Sequence, residues 1–349
     1  MAEPTSKKHR VEEAAAGMGG GCGATEAPLA AVAPAAAAGP ARQTVQEDAN
    51  GSQVVKNSPY AATRTQRGWG NPFQPCKKLV VAAAPSILIG MSSLNGVPAG
   101  AKNNREMATL LQQYVKKYGA LEHCAPYHGM GEVGTWEKWA GMVPAAFRYT
   151  VKANQYLTHV RQLEVDDDTL AHIGNFFEQR CRKLGAKLGA VLLQLPPGFR
   201  KSESHLQRLK EVAAAVPADI QVAVEFRHDS WFAEDTYAVL RAAKWAMVAT
   251  HNHDRGDSPI VDTGAGFFYA RLHGAVGQYI GDYGVDAMRR WAGHVAKFLE
   301  KNPGAPVYIF LNNNESHVGG LTSSVVDSTE LATQCQKVIT DRAAADVIE

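Results

Sequence analysis

The chain has 349 residues, 45% of them hydrophobic, which leaves room for one large domain or two ordinary ones. Its formal net charge of +2 gives no electrostatic reason to expect a membrane surface or bulk nucleic acid as partner. No apolar run reaches the roughly 20 residues of a membrane-spanning helix.

Residues 1–80 are rich in Ala, Gly, Pro and Ser without a sustained apolar period, so they are expected to form a disordered tail that cannot offset its chain entropy by burial. Within it, Lys7-Lys8-His9-Arg10 is read first as a solvated charge cluster and second as a weak nuclear signal. Five cysteines, Cys22, Cys76, Cys124, Cys181 and Cys335, stand far apart with no C-x-x-C pair. That usage predicts a reducing, intracellular setting, cytoplasmic in the first place.

From residue 81 to 349 short β-rich runs alternate with amphipathic helical stretches. Strands are expected at 86–90, 120–124, 148–152, 190–195, 220–226, 246–250, 267–272 and 307–311. Helices are expected at 104–118, around 135–139, and at 168–184, 202–216, 233–244, 285–299 and near 330–338. Ser202 reads as an N-cap, and the sixth strand is followed by a poorly helical connection. Eight strands with crossover-length links in roughly 260 residues predict an α/β fold, a closed parallel (β/α)8 TIM barrel behind the tail. An open doubly wound sheet would carry a glycine-rich phosphate turn after the first strand, and residues 90–96 lack that spacing.

In such a barrel the carboxyl ends of the strands converge on one mouth. They read Glu122, Lys152, Gln194, then Glu225 with Arg227 and His228, then His251, then Arg271 with His273, then Asn312 with Asn313. Glu225 is expected to point inward and to serve as an acid/base group, or else to belong to an ion-pair network that closes the mouth. Arg227 and Arg271 offer planar forks for phosphate or carboxylate, with His159, His228 and His273 as further donors. Lys152 suits an anion, or a Schiff base if it is buried. His251-Asn252-His253-Asp254 raises a metal reading, against which a solvated loop is the default and no metal is assigned. No phosphate-binding loop, G-x-S-x-G elbow or H-E-x-x-H occurs.

The segments 188–199 (LGAVLLQLPPGF), 224–232 (VEFRHDSWF) and 269–274 (YARLHG), with Val151-Lys152 followed by Leu157-Thr158-His159, resemble the YecE-like family, a domain of unknown function with a TIM-barrel fold. The resemblance runs from Ile87 to Val338. It implies the barrel and leaves the reaction open. Three stretches depart from the family pattern: the turn at Met91, the positions of Cys124 and His128, and residues 314–317 after the matching Asn312-Asn313.

Together these readings predict an enzyme, a hydrolase or lyase, that acts on an anionic or phosphate-bearing substrate. Its catalytic residues would be Glu225, Lys152 and His273. Its binding residues would be Arg227, Arg271, His159, His228, Gln194, Asn312 and Asn313. Two alternatives stand beside it, a non-catalytic nucleic-acid-binding barrel and a Schiff-base lyase using Lys152. Cofactor and oligomeric state are left open, and no membrane is expected.

Overall fold

The computed structural model describes residues 45–47, 53–55, 87–92, 94, 104–315, 317–318 and 321–345. The expected tail therefore lies outside the described residues, apart from two three-residue strands, Val45–Glu47 and Gln53–Val55, that pair antiparallel.

The sheet comprises β1 (Ile87–Met91), β2 (Ala120–His123), β3 (Arg148–Lys152), β4 (Leu188–Gln194), β5 (Val222–Glu225), β6 (Ala246–Met247), β7 (Ala249–Asn252), β8 (Gly256–Asp257), β9 (Phe268–Leu272) and β10 (Val307–Leu311). Its order is β8-β7-β9-β10-β1-β2-β3-β4-β5-β6. Every pairing is parallel except the β7–β8 hairpin. The sixth expected strand is thus found in two pieces, separated by Val248 alone. Its first piece pairs with β5, Ala223 facing Ala246, and its second with β9, Arg271 facing Thr250.

Alternation along each strand sorts the side chains. Residues such as Ile87, Ile89, Leu193, Val224 and Phe268 point outward to the helices, while Ala120, Ala190, Leu192, Ala223, Tyr269 and Phe310 form a separate buried cluster on the inner face. That inner cluster joins strands from all parts of the order, so the sheet is curled on itself. Small inner residues at β2, β4 and β5 offset large ones at β9 and β10, as a filled, curved interior requires.

Around the sheet run α1 (Asn104–Tyr114), α2 (Ala125–His128), α3 (Val133–Gly141), α4 (Asp167–Ile173), α5 (Glu203–Ala215), α6 (Glu234–Ala243), α7 (Gly284–Lys301) and α8 (Ser323–Ala345). Ser202 caps α5 as its sequence suggests, accepting from the His205 N–H at 3.1 Å. The helix expected at 168–184 is instead broken. Asp166 caps α4, which passes into a π turn at Gly174–Glu178 and a 3-10 stretch at Cys181–Lys187. Gly185 sits there at φ +55°, which ends the regular helix. The last helix is longer than expected, since α8 starts at Ser323.

Between β1 and β2 the Tyr114 hydroxyl of α1 enters the ladder. It accepts from the Met91 N–H at 2.8 Å and donates to the Ala120 carbonyl at 2.7 Å. Gly90 makes room for this approach, because a Cβ there would lie 2.2 Å from the Ala120 oxygen.

Candidate functional site

At the carboxyl ends of the strands the inner face turns polar. Alternation aims Glu122 of β2, Lys152 of β3, Gln194 of β4, Glu225 of β5 and Arg271 of β9 inward. All five are buried. Arg227, His273 and Asn312 continue the same faces two residues beyond Glu225, two beyond Arg271 and one beyond β10.

Arg271 is 1% exposed and organises the centre. Its Nη2 and Nε donate to Glu122 Oε1 at 2.7 and 3.2 Å, and its Nη1 donates to Glu225 Oε2 and, at 3.2 Å, to Gln194 Oε1. The other Glu122 oxygen accepts from the Tyr269 hydroxyl at 2.7 Å, and that hydroxyl lies 3.0 Å from Thr150 Oγ1. Such an arrangement meets the demand that buried charge be paired and hydrogen-bonded. Burial alone would push the Glu225 carboxyl up, but the Arg271 and Arg227 guanidiniums, with His273, hold it well below the usual carboxylate range. Glu225 is therefore an anchored anion. Arg271, expected as a ligand contact, has every nitrogen engaged by protein groups, so its role here is to hold two carboxylates and an amide together.

Uncompensated positive charge lies to one side. The Lys152 ammonium rests 3.9 Å from the centroid of the Tyr127 ring and forms no ion pair or hydrogen bond among the described residues. Arg227 donates through Nε to Glu225 Oε1 at 2.9 Å, and its two terminal nitrogens have no partner among the described residues. His159 joins this group with its ring edge-on to Tyr127 at 5.1 Å and its Nδ1 2.8 Å from the Thr158 hydroxyl. Burial, then the charges of Lys152 and Arg227, bring the His159 imidazole down to about 4, so it is neutral near pH 7. Counting formal charges, Lys152, Arg227 and Arg271 stand against Glu122 and Glu225, an excess of one cation.

His273 lies between the two sides. Its Nε2 is 3.5 Å from Glu225 Oε1 and its Nδ1 is 3.5 Å from Asn312 Nδ2. Its Nε2 also lies 3.4 Å from Arg271 Nη1, and burial and the Arg271 charge hold its pKa at about 4, so its imidazole is neutral near pH 7. A cavity of about 200 Å³ opens beside the cluster, lined by Glu225, Arg227, Thr250, Asn252 and Arg255 among others.

Two expected site residues lie elsewhere for a reason of alternation. Asn313, next to Asn312, must face the other way, and its Nδ2 donates to the Gly281 carbonyl at 2.9 Å and to Asp327 at 2.7 Å, tying α8 to the start of α7. His228, next to Arg227, instead caps the 3-10 turn Asp229–Trp231, its Nδ1 accepting from the Ser230 N–H at 3.2 Å. His251 is buried with Nδ1 2.9 Å from the Tyr283 hydroxyl, whereas His253 pairs with Asp254 at 2.7 Å. Among the described residues no three His, Cys, Asp or Glu are grouped to hold a metal.

Glu122, Tyr127 and Tyr269 complete the site, and the sequence did not single them out as functional. Glu122 was visible as a charge ending a strand, whereas Tyr127 and Tyr269 read as ordinary core aromatics. At the departing positions, Met91 is buried, Cys124 Sγ lies 3.8 Å from Glu122 Oε1, and His128 is exposed with its ring edge-on to Tyr127 at 5.0 Å.

A family model described as "Protein of unknown function DUF72" matches residues 97–343. The UPF0759 protein YunF of Bacillus subtilis (strain 168) is 27% identical over 161 residues, which cover 44% of this chain and 55% of that protein. The chain thus matches about half the length of this curated relative. Two DUF72 family proteins of solved structure share the fold. The one from Thermotoga maritima MSB8 has a TM-score of 0.58 at 21% identity, over 71% of this chain and 98% of that one. The other, from Enterococcus faecalis v583, has a TM-score of 0.57 at 18% identity, over 73% and 95%. Among the described residues no helix is long and apolar enough to cross a membrane.

Proposed function

Since the chain belongs to the DUF72 family, a family of unknown function, we propose that it is an enzyme acting on an anionic, phosphate-bearing substrate at the carboxyl ends of its strands, by hydrolysis or another bond cleavage. The observation that carries this reading is Lys152: a buried ammonium without a carboxylate, in a cluster whose two carboxylates are already held by Arg271. Taking such a charge from water costs several kcal/mol unless an anion meets it, and a phosphate would. The terminal nitrogens of Arg227 are available for a second contact.

In this reading Lys152 and Arg227 hold the phosphate, with His159 beside them. His273 takes the proton from the attacking water and returns it to the leaving oxygen as the ester bond breaks. Glu225 anchors Arg227 and faces His273, and Arg271, itself held by Gln194, fixes Glu225. We also read the sheet as a closed eight-stranded barrel in residues 81–349, with 246–252 as one strand shared between β5 and β9, and residues 1–80 as a tail outside it.

The test is release of inorganic phosphate from a panel of phosphate esters by the full chain and by Lys152→Ala and His273→Ala. Turnover by the wild type that falls on the order of 10²-fold in His273→Ala supports the proposal. Equal rates in all three proteins, or no binding of any phosphate compound to the wild type, would overturn it.

A further inference from the structure

The cationic groups left without a full set of partners among the described residues stand on one side of the mouth. They are Lys152 and the terminal nitrogens of Arg227, at and after β3 and β5, with the neutral His159 beside them. The strands β10 and β1, which lie together in the sheet order, end in neutral groups, Asn312 and Ser92. We infer that the bound anion is one end of a sugar phosphate, with its phosphate against Lys152 and Arg227 and its hydroxyls against Asn312 and Ser92. This inference rests on the proposed anion site and adds the chemistry of the rest of the substrate.

Three observations support it. First, Ser92 falls on the inner face, because Ile87, Ile89 and Met91 all pack outward into the helix-side clusters. It is 1% exposed, and its hydroxyl has no hydrogen-bond partner among the described residues. A buried hydroxyl left in that state is destabilising, and a ligand able both to donate and to accept would relieve it.

Second, the side chain of Asn312 is buried, and its one polar contact among the described residues is the long approach to His273 Nδ1 at 3.5 Å. An amide and a hydroxyl match sugar hydroxyls, which are likewise neutral and two-way in hydrogen bonding. A second charged group would find at this end only Arg271 and Glu122, already paired with each other, and an apolar one would leave Ser92 unpaired.

Third, a tyrosine is held beside this half at a backbone cost. Tyr279 has φ +64°, a left-handed conformation unusual for an aromatic residue. It is fixed there because its N–H donates to the His273 carbonyl at 2.6 Å and its own carbonyl accepts from the Glu315 N–H at 3.0 Å. Its ring centroid lies 6.2 Å from that of His273. Gly274 permits the tight loop, since at φ +117° a Cβ would meet the Gly277 carbonyl oxygen at 2.4 Å. An aromatic face is a suitable surface for the C–H side of a sugar ring.

A continuous line of polar contacts joins the two halves. It runs from Arg227 to Glu225 at 2.9 Å, from Glu225 to His273 at 3.5 Å and from His273 to Asn312 at 3.5 Å.

Calorimetric titration of the full chain with inorganic phosphate, ribose 5-phosphate and glucose 6-phosphate tests the inference. At least one sugar phosphate is expected to bind about tenfold or more tightly than inorganic phosphate. Asn312→Ala and Ser92→Ala are expected to remove most of that advantage and leave inorganic phosphate binding unchanged, whereas Lys152→Ala weakens all three ligands. Thermal melts of each variant exclude loss of fold as the cause. Equal wild-type affinity for all three ligands would overturn the sugar assignment and leave the anion site standing, as would variants that keep the full sugar advantage. Absence of phosphate binding in any form overturns the anion site itself.

Discussion

The Arg271 guanidinium meets the Glu122 carboxylate at 2.7 Å across 149 residues of chain, and both side chains are closed to solvent. Removing the guanidinium takes the counter-charge from buried Glu122, which keeps only the Tyr269 hydroxyl and the Cys124 thiol, and leaves Glu225 with Arg227 and His273 alone. Arg271→Met is therefore expected to destabilise the chain by about 3–5 kcal/mol, whereas Lys152→Met, which breaks no ion pair, is expected to cost far less or to stabilise. Denaturant unfolding of the two variants measures the contrast.

Acid sensitivity follows from the direction of the pKa shifts. Burial holds His123 at about 4, below its ordinary value near 6.5, so the folded protein keeps this ring neutral while the unfolded chain protonates it. Stability is lost as pH falls from about 6.5 toward 4, by roughly 3 kcal/mol from this residue. Glu225, depressed by Arg271 and Arg227 despite its burial, adds a loss that begins as pH drops below the ordinary carboxylate value. Asp327 works the other way. Burial raises it to about 7, so its contribution is present at low pH and lost as pH rises through 7. His159 and His273, also held at about 4, add losses in the same window that outweigh the opposing contribution of Asp327, so unfolding free energy measured from pH 4 to 8 should fall on the acid side, and a flat profile there would refute this assignment.

His123 also supplies a sharper test. Its Nε2 is buried without a hydrogen-bond partner among the described residues, while its ring packs edge-on to Trp139 at 4.2 Å. His123→Phe keeps the packing and removes the orphan, so a gain of about 1 kcal/mol is expected at pH 7 and a larger gain at pH 5. Thermal melts at the two pH values check it.

The β1–β2 ladder depends on one hydroxyl. Tyr114→Phe leaves the Met91 N–H and the Ala120 carbonyl without their partner, at an expected cost of about 1–3 kcal/mol. Gly90→Ala is expected to be worse, since the added carbon would stand 2.2 Å from backbone that cannot yield. Expression yield and melting temperature of both variants report the order.

Lys152 is expected to bind an anion rather than to form a Schiff base. Borohydride reduction in the presence of carbonyl compounds should leave Lys152 unmodified, with intact mass and peptide mapping as the readout. An adduct on that residue would replace the hydrolytic reading with lyase chemistry.

Much of the fold was legible because each strand carries its own period. The runs at β3, β9 and β10 could be placed to within a residue, and the poorly helical link after the sixth strand is real. The break at Gly174–Lys187 was not legible, because an amphipathic period continues through a π turn and only the backbone of Gly185 reveals the change. In the site, Glu225, Arg227, Arg271 and His273 could be grouped from strand endings alone. What the sequence hides is which of two adjacent polar residues faces in: Asn312 and Arg227 do, and Asn313 and His228 cannot. Register across strands is equally hidden. It decides that Arg271 reaches both carboxylates, and therefore that Lys152 is left without one among the described residues.

The one-residue gap at Val248 has a bearing on assembly. A twisted sheet normally ends in two rims of unpaired backbone, each able to recruit a strand from another molecule. Here the two pieces flanking Val248 are bonded to opposite neighbours, β6 to β5 and β7 to β9, and the strands that end the sheet order, β6 and β8, are two residues long each. Among the described residues each rim of the sheet order is thus a two-residue strand, a short template for the addition of a strand from another molecule.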